Sequence, residues 1–159
     1  MHIIFLFEKE RIINNFLIAL IMIDFEQLKV AQFDKWKVYV HQSQCYLGRL
    51  YIAANRDDDV DLFDIAGAER EEFFDVGKKV KKALTELFNP DRLNYVNLQN
   101  EWHHLHIHII PRYSSLRTFD NIKFVDEKWG KNYAPYNKDF KVPQETLFKL
   151  RDELREKLD

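Results

Sequence analysis

His104-Leu105-His106-Ile107-His108-Ile109-Ile110, followed by Pro111-Arg112, is the stretch on which the reading of this chain turns. Successive side chains of a β-strand point to opposite faces, so His104, His106 and His108 share one face and Leu105, Ile107 and Ile109 the other. The aliphatic face demands a core. Four of the six histidines lie between positions 103 and 108. Three charged imidazoles in a row would repel one another, so the stable arrangement is neutral rings bonded to one another, to the backbone or to an anion. Three readings are open. The outer face of a half-exposed strand happens to be histidine; or alternating histidines hold zinc or copper, with distant acids such as Asp57 to Asp59 completing the ligand set; or the middle imidazole attacks phosphorus while its neighbours hold the oxygens. Against the metal reading, Cys45 is the single cysteine and no second histidine cluster offers a completing ligand.

Working outward, Leu93 to Leu98 reads as a strand, Gln99 to Trp102 as a short polar connection, and His103 to Ile110 as a second strand ended by Pro111. Before them, Phe73, Val76, Val80, Ala83, Leu84, Leu87 and Phe88 fall at helical spacing with lysines opposite. They predict a helix over about 69–88, stopped by Asn89-Pro90. Gly77 inside it reads as the mark of a close packing contact. Lys37 to Val40 and Cys45 to Ala54 read as strands joined by the polar turn His41-Gln42-Ser43-Gln44, and Asn55 to Asp61 as an acidic loop. Ser114 to Val142 reads as irregular and aromatic. Leu147, Leu150, Leu154 and Leu158 mark a closing helix after Pro143. Strands, helix, strands, helix is the order of an α+β domain with a mostly antiparallel sheet.

The 159 residues suit one domain, and 46% hydrophobic with 31% charged residues is ordinary globular composition. A formal net charge of −2 supplies no global positive field, so nucleic acid is not an expected partner and an anionic ligand must be captured locally. One cysteine excludes an internal disulfide and fits a reducing, cytoplasmic setting, with Cys45 a buried, inert thiol. Ile12 to Ile23 is apolar but interrupted by Asn14 and Asn15, and is shorter than the ~20 residues of a membrane span. Glu8, Lys9, Glu10 and Arg11 nearly cancel, unlike the basic start of a secretory signal. Met22 stands just before a domain-like opening at Asp24-Phe25-Glu26-Gln27-Leu28. Residues 1–23 therefore read as an N-terminal extension, its first 21 residues supplied by an upstream start codon, and residues 24–159 as the domain. No membrane partner is expected, a short membrane-associating helix being the rival reading of the extension.

The run from His104 to Arg112 resembles the signature of the histidine-triad (HIT) superfamily of nucleotide hydrolases and transferases, His-φ-His-φ-His-φ-φ, where φ is apolar. Asn97-Leu98-Gln99-Asn100-Glu101-Trp102 and Trp129-Gly130-Lys131-Asn132-Tyr133-Ala134-Pro135 resemble small microbial members that are similar to diadenosine tetraphosphate hydrolases. The resemblance runs from Phe25 to the C-terminus. It implies a five-stranded, mostly antiparallel sheet with a long central helix and a C-terminal helix, and a homodimer. It also implies hydrolysis or transfer at the α-phosphate of a dinucleoside polyphosphate or nucleoside phosphoramidate.

In that chemistry His106 is the nucleophile and forms a nucleotidyl-histidine intermediate, which divides a hard displacement into two easier steps. Its other ring nitrogen donates to a fixed acceptor, a backbone carbonyl near His104. His108 donates a hydrogen bond to the phosphate, and His104 orients. Asn97, Gln99 and Asn100 either offer amide donors to phosphate oxygens or simply make the turn. Trp102 either walls the site or packs a core or interface; Arg112 either pairs with phosphate or is solvated; His103 has the wrong parity. No metal or tightly bound cofactor is implied beyond Mg²⁺ arriving with a polyphosphate. One departure matters. Where many members carry Lys-Arg-His, this chain has Asn55-Arg56-Asp57, and a carboxylate there repels a polyphosphate unless a cation intervenes. A nucleotide-binding module with little turnover is therefore the alternative, and a metal-binding histidine strand the third.

Overall fold

The computed structural model describes residues 24–158, so the expected extension over residues 1–23 lies outside the described residues. A short 3-10 turn at Phe25–Leu28 leads into strands β1 (Lys29–Gln32), β2 (Trp36–Val40) and β3 (Leu50–Ala54). Helix α1 (Gly67–Phe88) follows, then β4 (Arg92–Val96), β5 (His106–Arg112), the small strands β6 (Arg117–Phe119) and β7 (Ile122–Phe124), and helix α2 (Gln144–Leu158). The main sheet has five strands in the order β1-β2-β3-β5-β4, every pairing antiparallel. This is the α+β architecture expected, with a long central helix and a C-terminal one.

Period-two alternation gives the sheet two unlike faces. Val38, Val40, Leu50, Ile52, Ile107 and Ile109 point into one core, which α1 fills with Val76, Val80, Ala83, Leu84 and Phe88 and α2 with Leu147, Leu150, Leu154 and Leu158. Lys78, Lys79, Lys81 and Lys82 stay exposed on the outer side of α1. The helix ends where expected: Asn89 adopts a left-handed conformation (φ 44), its N–H donates to the Thr85 carbonyl, and Pro90 prevents continuation. The other sheet face carries Tyr39, Tyr51 and Ala53 with the histidines, and no helix among the described residues covers it.

Several local expectations are corrected. The strand expected over Cys45–Ala54 begins only at Leu50. Residues 41–49 form a loop knotted around the fully buried Gln44 side chain, which donates to the carbonyls of His41 and Arg49 and accepts from the Gly48 N–H. Cys45 is half-buried in that loop rather than buried in a strand. β5 starts at His106 rather than His103, and runs through Pro111, which pairs with Leu93 beyond the last β3 partner at Ile109. The segment expected to be irregular contains the β6–β7 hairpin, turned by Asp120 and Asn121 at φ 50 and 62. Such a two-residue turn matches the twist of the strands it joins.

Gly77 marks no packing contact, since a Cβ there meets nothing within 4 Å, whereas at Gly48 (φ +79) it would meet the Phe88 ring at 2.9 Å. Gly77→Ala therefore removes only the conformational cost of glycine and should stabilise the fold by about 1 kcal/mol. Gly48→Ala should destabilise it. Urea unfolding of both variants checks this, and a loss of stability in Gly77→Ala refutes the packing analysis.

Candidate active site

Parity on β5 places the imidazoles, and backbone carbonyls fix two of them. His106 Nδ1 lies 2.7 Å from the carbonyl oxygen of His104. A carbonyl only accepts, so this nitrogen carries the proton and the lone pair lies on Nε2, with the ring lining the open cleft. His104 Nε2 in turn donates to the Ala54 carbonyl at 2.8 Å. His108 sits two residues on, its ring 4.9 Å from that of His106, and its Nδ1 is buried with no partner among the described residues. Burial lowers the pKa of His106, opposed in part by its hydrogen bond to the His104 carbonyl. Burial, the Arg49 charge and His106 bring His108 down to about 4. Both shifts favour the neutral form of His106 and His108.

The cleft of about 790 Å³ in front of these rings lies over the sheet face that carries the histidines. Tyr51 pairs with His108 across β3 and β5 and stacks on Tyr39 at 5.2 Å. Trp102 forms a wall: its ring stacks on His104 at 4.5 Å and tilts against His106 at 4.8 Å. Gln99 and Asn100 line the cleft, but the Gln99 amide already donates to the carbonyls of Val60 and His103. Asn97 donates to the carbonyl of His106, bracing the strand from β4's side. His103 is exposed. Asp57, its side chain 96% exposed, brings Oδ1 to 3.8 Å from His104 Nδ1.

Arg112 is neither solvated nor at the cleft. It is 4% exposed, and its guanidinium binds both oxygens of Asp126, Asn94 Oδ1 and the carbonyls of Lys128 and Lys131. The expectation that it meets phosphate gives way to a structural role. It pins the segment after β7, which crosses the open face and brings Tyr133, Tyr136 and Lys138 to the cleft. The Tyr46 hydroxyl adds a second tie by donating to the Tyr133 carbonyl.

Two cleft residues escaped the sequence reading. His41 and Arg49 stand at the two feet of the β2–β3 loop, where the His41 N–H donates to the Arg49 carbonyl. Residues 41–44 read as a polar turn, and 45–54 as a strand, so neither side chain was given a direction. The available signal was an arginine set inside the apolar run Tyr46-Leu47-Gly48-Arg49-Leu50. Among the described residues no group of three or more His, Cys, Asp or Glu side chains is arranged around a common metal position. No described helix is long and apolar enough to cross a membrane.

Two measurements follow. Followed by ring-carbon NMR, His108 should titrate at about 4 and His106 below the ordinary 6.5. Both groups, like His41, bind protons more weakly when folded, so stability should be full above 6.5 and decline as pH falls towards 4. A His106 midpoint at or above 6.5 would contradict a buried, neutral His106. Asp126→Ala leaves the buried Arg112 charge without its partner and should cost roughly 3–5 kcal/mol in chemical denaturation; a cost below 1 kcal/mol would mean the pair does not hold the segment.

A family model described as the HIT domain matches residues 26–115. In fold the chain is similar to a histidine triad protein from Bradyrhizobium japonicum (21% identity, TM-score 0.67, covering 84% of this chain and 92% of that one). It is also similar to a histidine triad protein from Sinorhizobium meliloti (16%, 0.68, 86% and 96%). A third is a hypothetical histidine triad nucleotide-binding protein from Sulfolobus tokodaii (17%, 0.62, 82% and 83%). No curated protein matches the chain. With the family model spanning more than half of its residues, and with the triad strand inside the matched span, the chain belongs to the HIT domain family.

Proposed function

We propose that the chain hydrolyses or transfers at the α-phosphate of a nucleotide conjugate, a dinucleoside polyphosphate or nucleoside phosphoramidate, through a covalent nucleotidyl-His106 intermediate. The observation that carries this reading is the 2.7 Å hydrogen bond from His106 Nδ1 to the His104 carbonyl, because it reserves the Nε2 lone pair for the cleft. In the first step Nε2 bonds to the α-phosphorus, and the bond from phosphorus to the leaving group breaks with its electron pair. In the second, water or another acceptor bonds to phosphorus, the N–P pair returns to Nε2, and the acceptor's proton passes to solvent or product. In this reading His108 hydrogen-bonds the phosphoryl oxygens as charge builds on them. Trp102 and Tyr51 shield the reacting face from water.

The name of the Sulfolobus tokodaii relative, a nucleotide-binding protein, fits the substrate class. To the same reading belong Mg²⁺ carried in by a polyphosphate, a cytoplasmic setting, and a homodimer. Asp57 favours a second reading, a nucleotide-binding module with little turnover, since its carboxylate stands beside His104 where it opposes an incoming anion.

Intact-protein mass after brief incubation with diadenosine tetraphosphate or adenosine phosphoramidate separates the two. Wild type should gain an AMP-sized adduct or release AMP, and His106→Ala and His106→Gly should do neither. Tight binding without adduct or product in wild type would overturn the enzymatic reading in favour of the binding module.

A further inference from the structure

Two arginines are buried beneath the open face of the sheet, each 4% exposed, and they are used in opposite ways. The guanidinium of Arg112 is satisfied by Asp126, Asn94 and two carbonyls. That of Arg49 is not. Among the described residues its Nε and Nη1 are buried with no hydrogen-bond partner, and no carboxylate pairs with it. It rests against the face of Tyr136, with Cζ 4.3 Å from the ring centroid. A cation taken out of water without a counter-ion is unfavourable unless an anion binds there.

The location of Arg49 says which anion. Arg49 and His41 lie opposite each other just beyond the last pair of the β2–β3 ladder, Val40 with Leu50, where the His41 N–H donates to the Arg49 carbonyl, and Tyr51, two residues on, pairs with His108. Arg49 therefore lies one step past the His108 row, at the end of the cleft away from His104 and Asp57. The Ser43 N–H donates to His41 Nδ1, which puts the His41 proton on Nε2, and the His41 ring lies 5.5 Å from that of His108. A fixed cation and a fixed donor thus adjoin the place where His108 would hold the reacting phosphate.

We infer that Arg49 and His41 form an anion subsite for the phosphate next to the one attacked by His106, so that the leaving group this site selects is a phosphate chain rather than an amine or an alcohol. This rests on the nucleotidyl-transfer reading above. When Nε2 bonds to the α-phosphorus, the electron pair of the broken bond goes to the bridging oxygen, and the new negative charge appears on the departing phosphate, beside Arg49. A phosphate leaves as an anion and needs no proton. An amine or alkoxide needs one, and His108, titrating at about 4, is neutral at pH 7 and poorly suited to supply it.

The test compares kcat/KM for diadenosine tetraphosphate and for adenosine phosphoramidate in wild type, Arg49→Gln and the charge-preserving Arg49→Lys, each checked for folding by circular dichroism. The ratio of the first kcat/KM to the second should fall roughly 100-fold in Arg49→Gln, the usual effect of losing one charge-stabilising donor, and recover in part in Arg49→Lys. An unchanged ratio overturns the proposal, because a structural role lowers both activities alike. Calorimetric titration with inorganic pyrophosphate supplies a readout independent of turnover: wild type should bind it and Arg49→Gln should not. Equal binding by the two proteins, or none by wild type at millimolar concentration, also overturns the subsite. If His106 is adenylylated by neither substrate, the nucleotidyl-transfer reading fails by itself, and the pyrophosphate titration decides the anion subsite alone.

Discussion

Strand β5 is hydrogen-bonded on both flanks, to β3 and to β4, and its alternation cannot slip by one residue without exchanging its two faces. Such a slip would carry Leu105, Ile107 and Ile109 into the cleft and three imidazoles into the core. Burial of each aliphatic side chain contributes about 2 kcal/mol, so the exchange would remove an amount comparable to the net stability of a typical domain, about 5–15 kcal/mol. The core, rather than the site, therefore holds the register of the histidines. The site inherits that rigidity. Because His104 is locked onto the Ala54 carbonyl and its own carbonyl receives the His106 proton, the tautomer of His106 is set by backbone that the core keeps in place.

The other wall of the cleft depends on a different interaction. The segment after β7 has little regular structure, and it lies on the sheet because Arg112 binds Asp126 and two carbonyls of that segment at once. A buried ion pair contributes little net stability over an apolar pair of similar size, but it permits one geometry, since either partner left alone is strongly unfavourable. The pair thus works as a positional lock. It determines where Tyr133 and Tyr136 come to rest, and through Tyr136 the surroundings of Arg49.

The parts of this arrangement legible in the sequence are those encoded by short-range periodicity. The parity of His104, His106 and His108 follows from period two, and α1 and α2 follow from the spacing of Val76, Val80, Leu84 and of Leu147, Leu150, Leu154. β1 was not legible: it is four residues long and its register shifts between Lys29 and Ala31, so it shows no alternation. Cys45-Tyr46-Leu47 reads as strand because it is apolar, yet the Gln44 side chain ties together the flanking backbone of His41, Gly48 and Arg49 and closes the stretch into a loop. Arg112 and Arg49 were illegible for a shared reason. The direction of each depends on a partner brought by the 126–136 segment, and nothing local in the chain announces that meeting. Trp102 had the parity of the histidine face, which indicated its wall but not its stacking on His104.

The remaining question is why three neutral imidazoles sit beside a permanent cation. A nucleophilic imidazole must stay unprotonated, yet a phosphate substrate calls for positive charge, and a protonated histidine cannot meet both needs. Here the two tasks are divided between residue types. Burial acts first on His41, His106 and His108, and the Arg49 charge further disfavours a second positive charge on His41 and His108. A guanidinium never gives up its proton at physiological pH, so Arg49 keeps its positive charge at any pH at which the imidazoles are neutral. The acid at position 57 fits the same division, since it stands at the His104 end, where orientation rather than charge capture is required. The field along β5 thus runs from a carboxylate at one end to a guanidinium at the other. On the proposed chemistry, a polyanion entering the cleft is drawn towards the Arg49 end, with its reacting phosphate left over the rings between them.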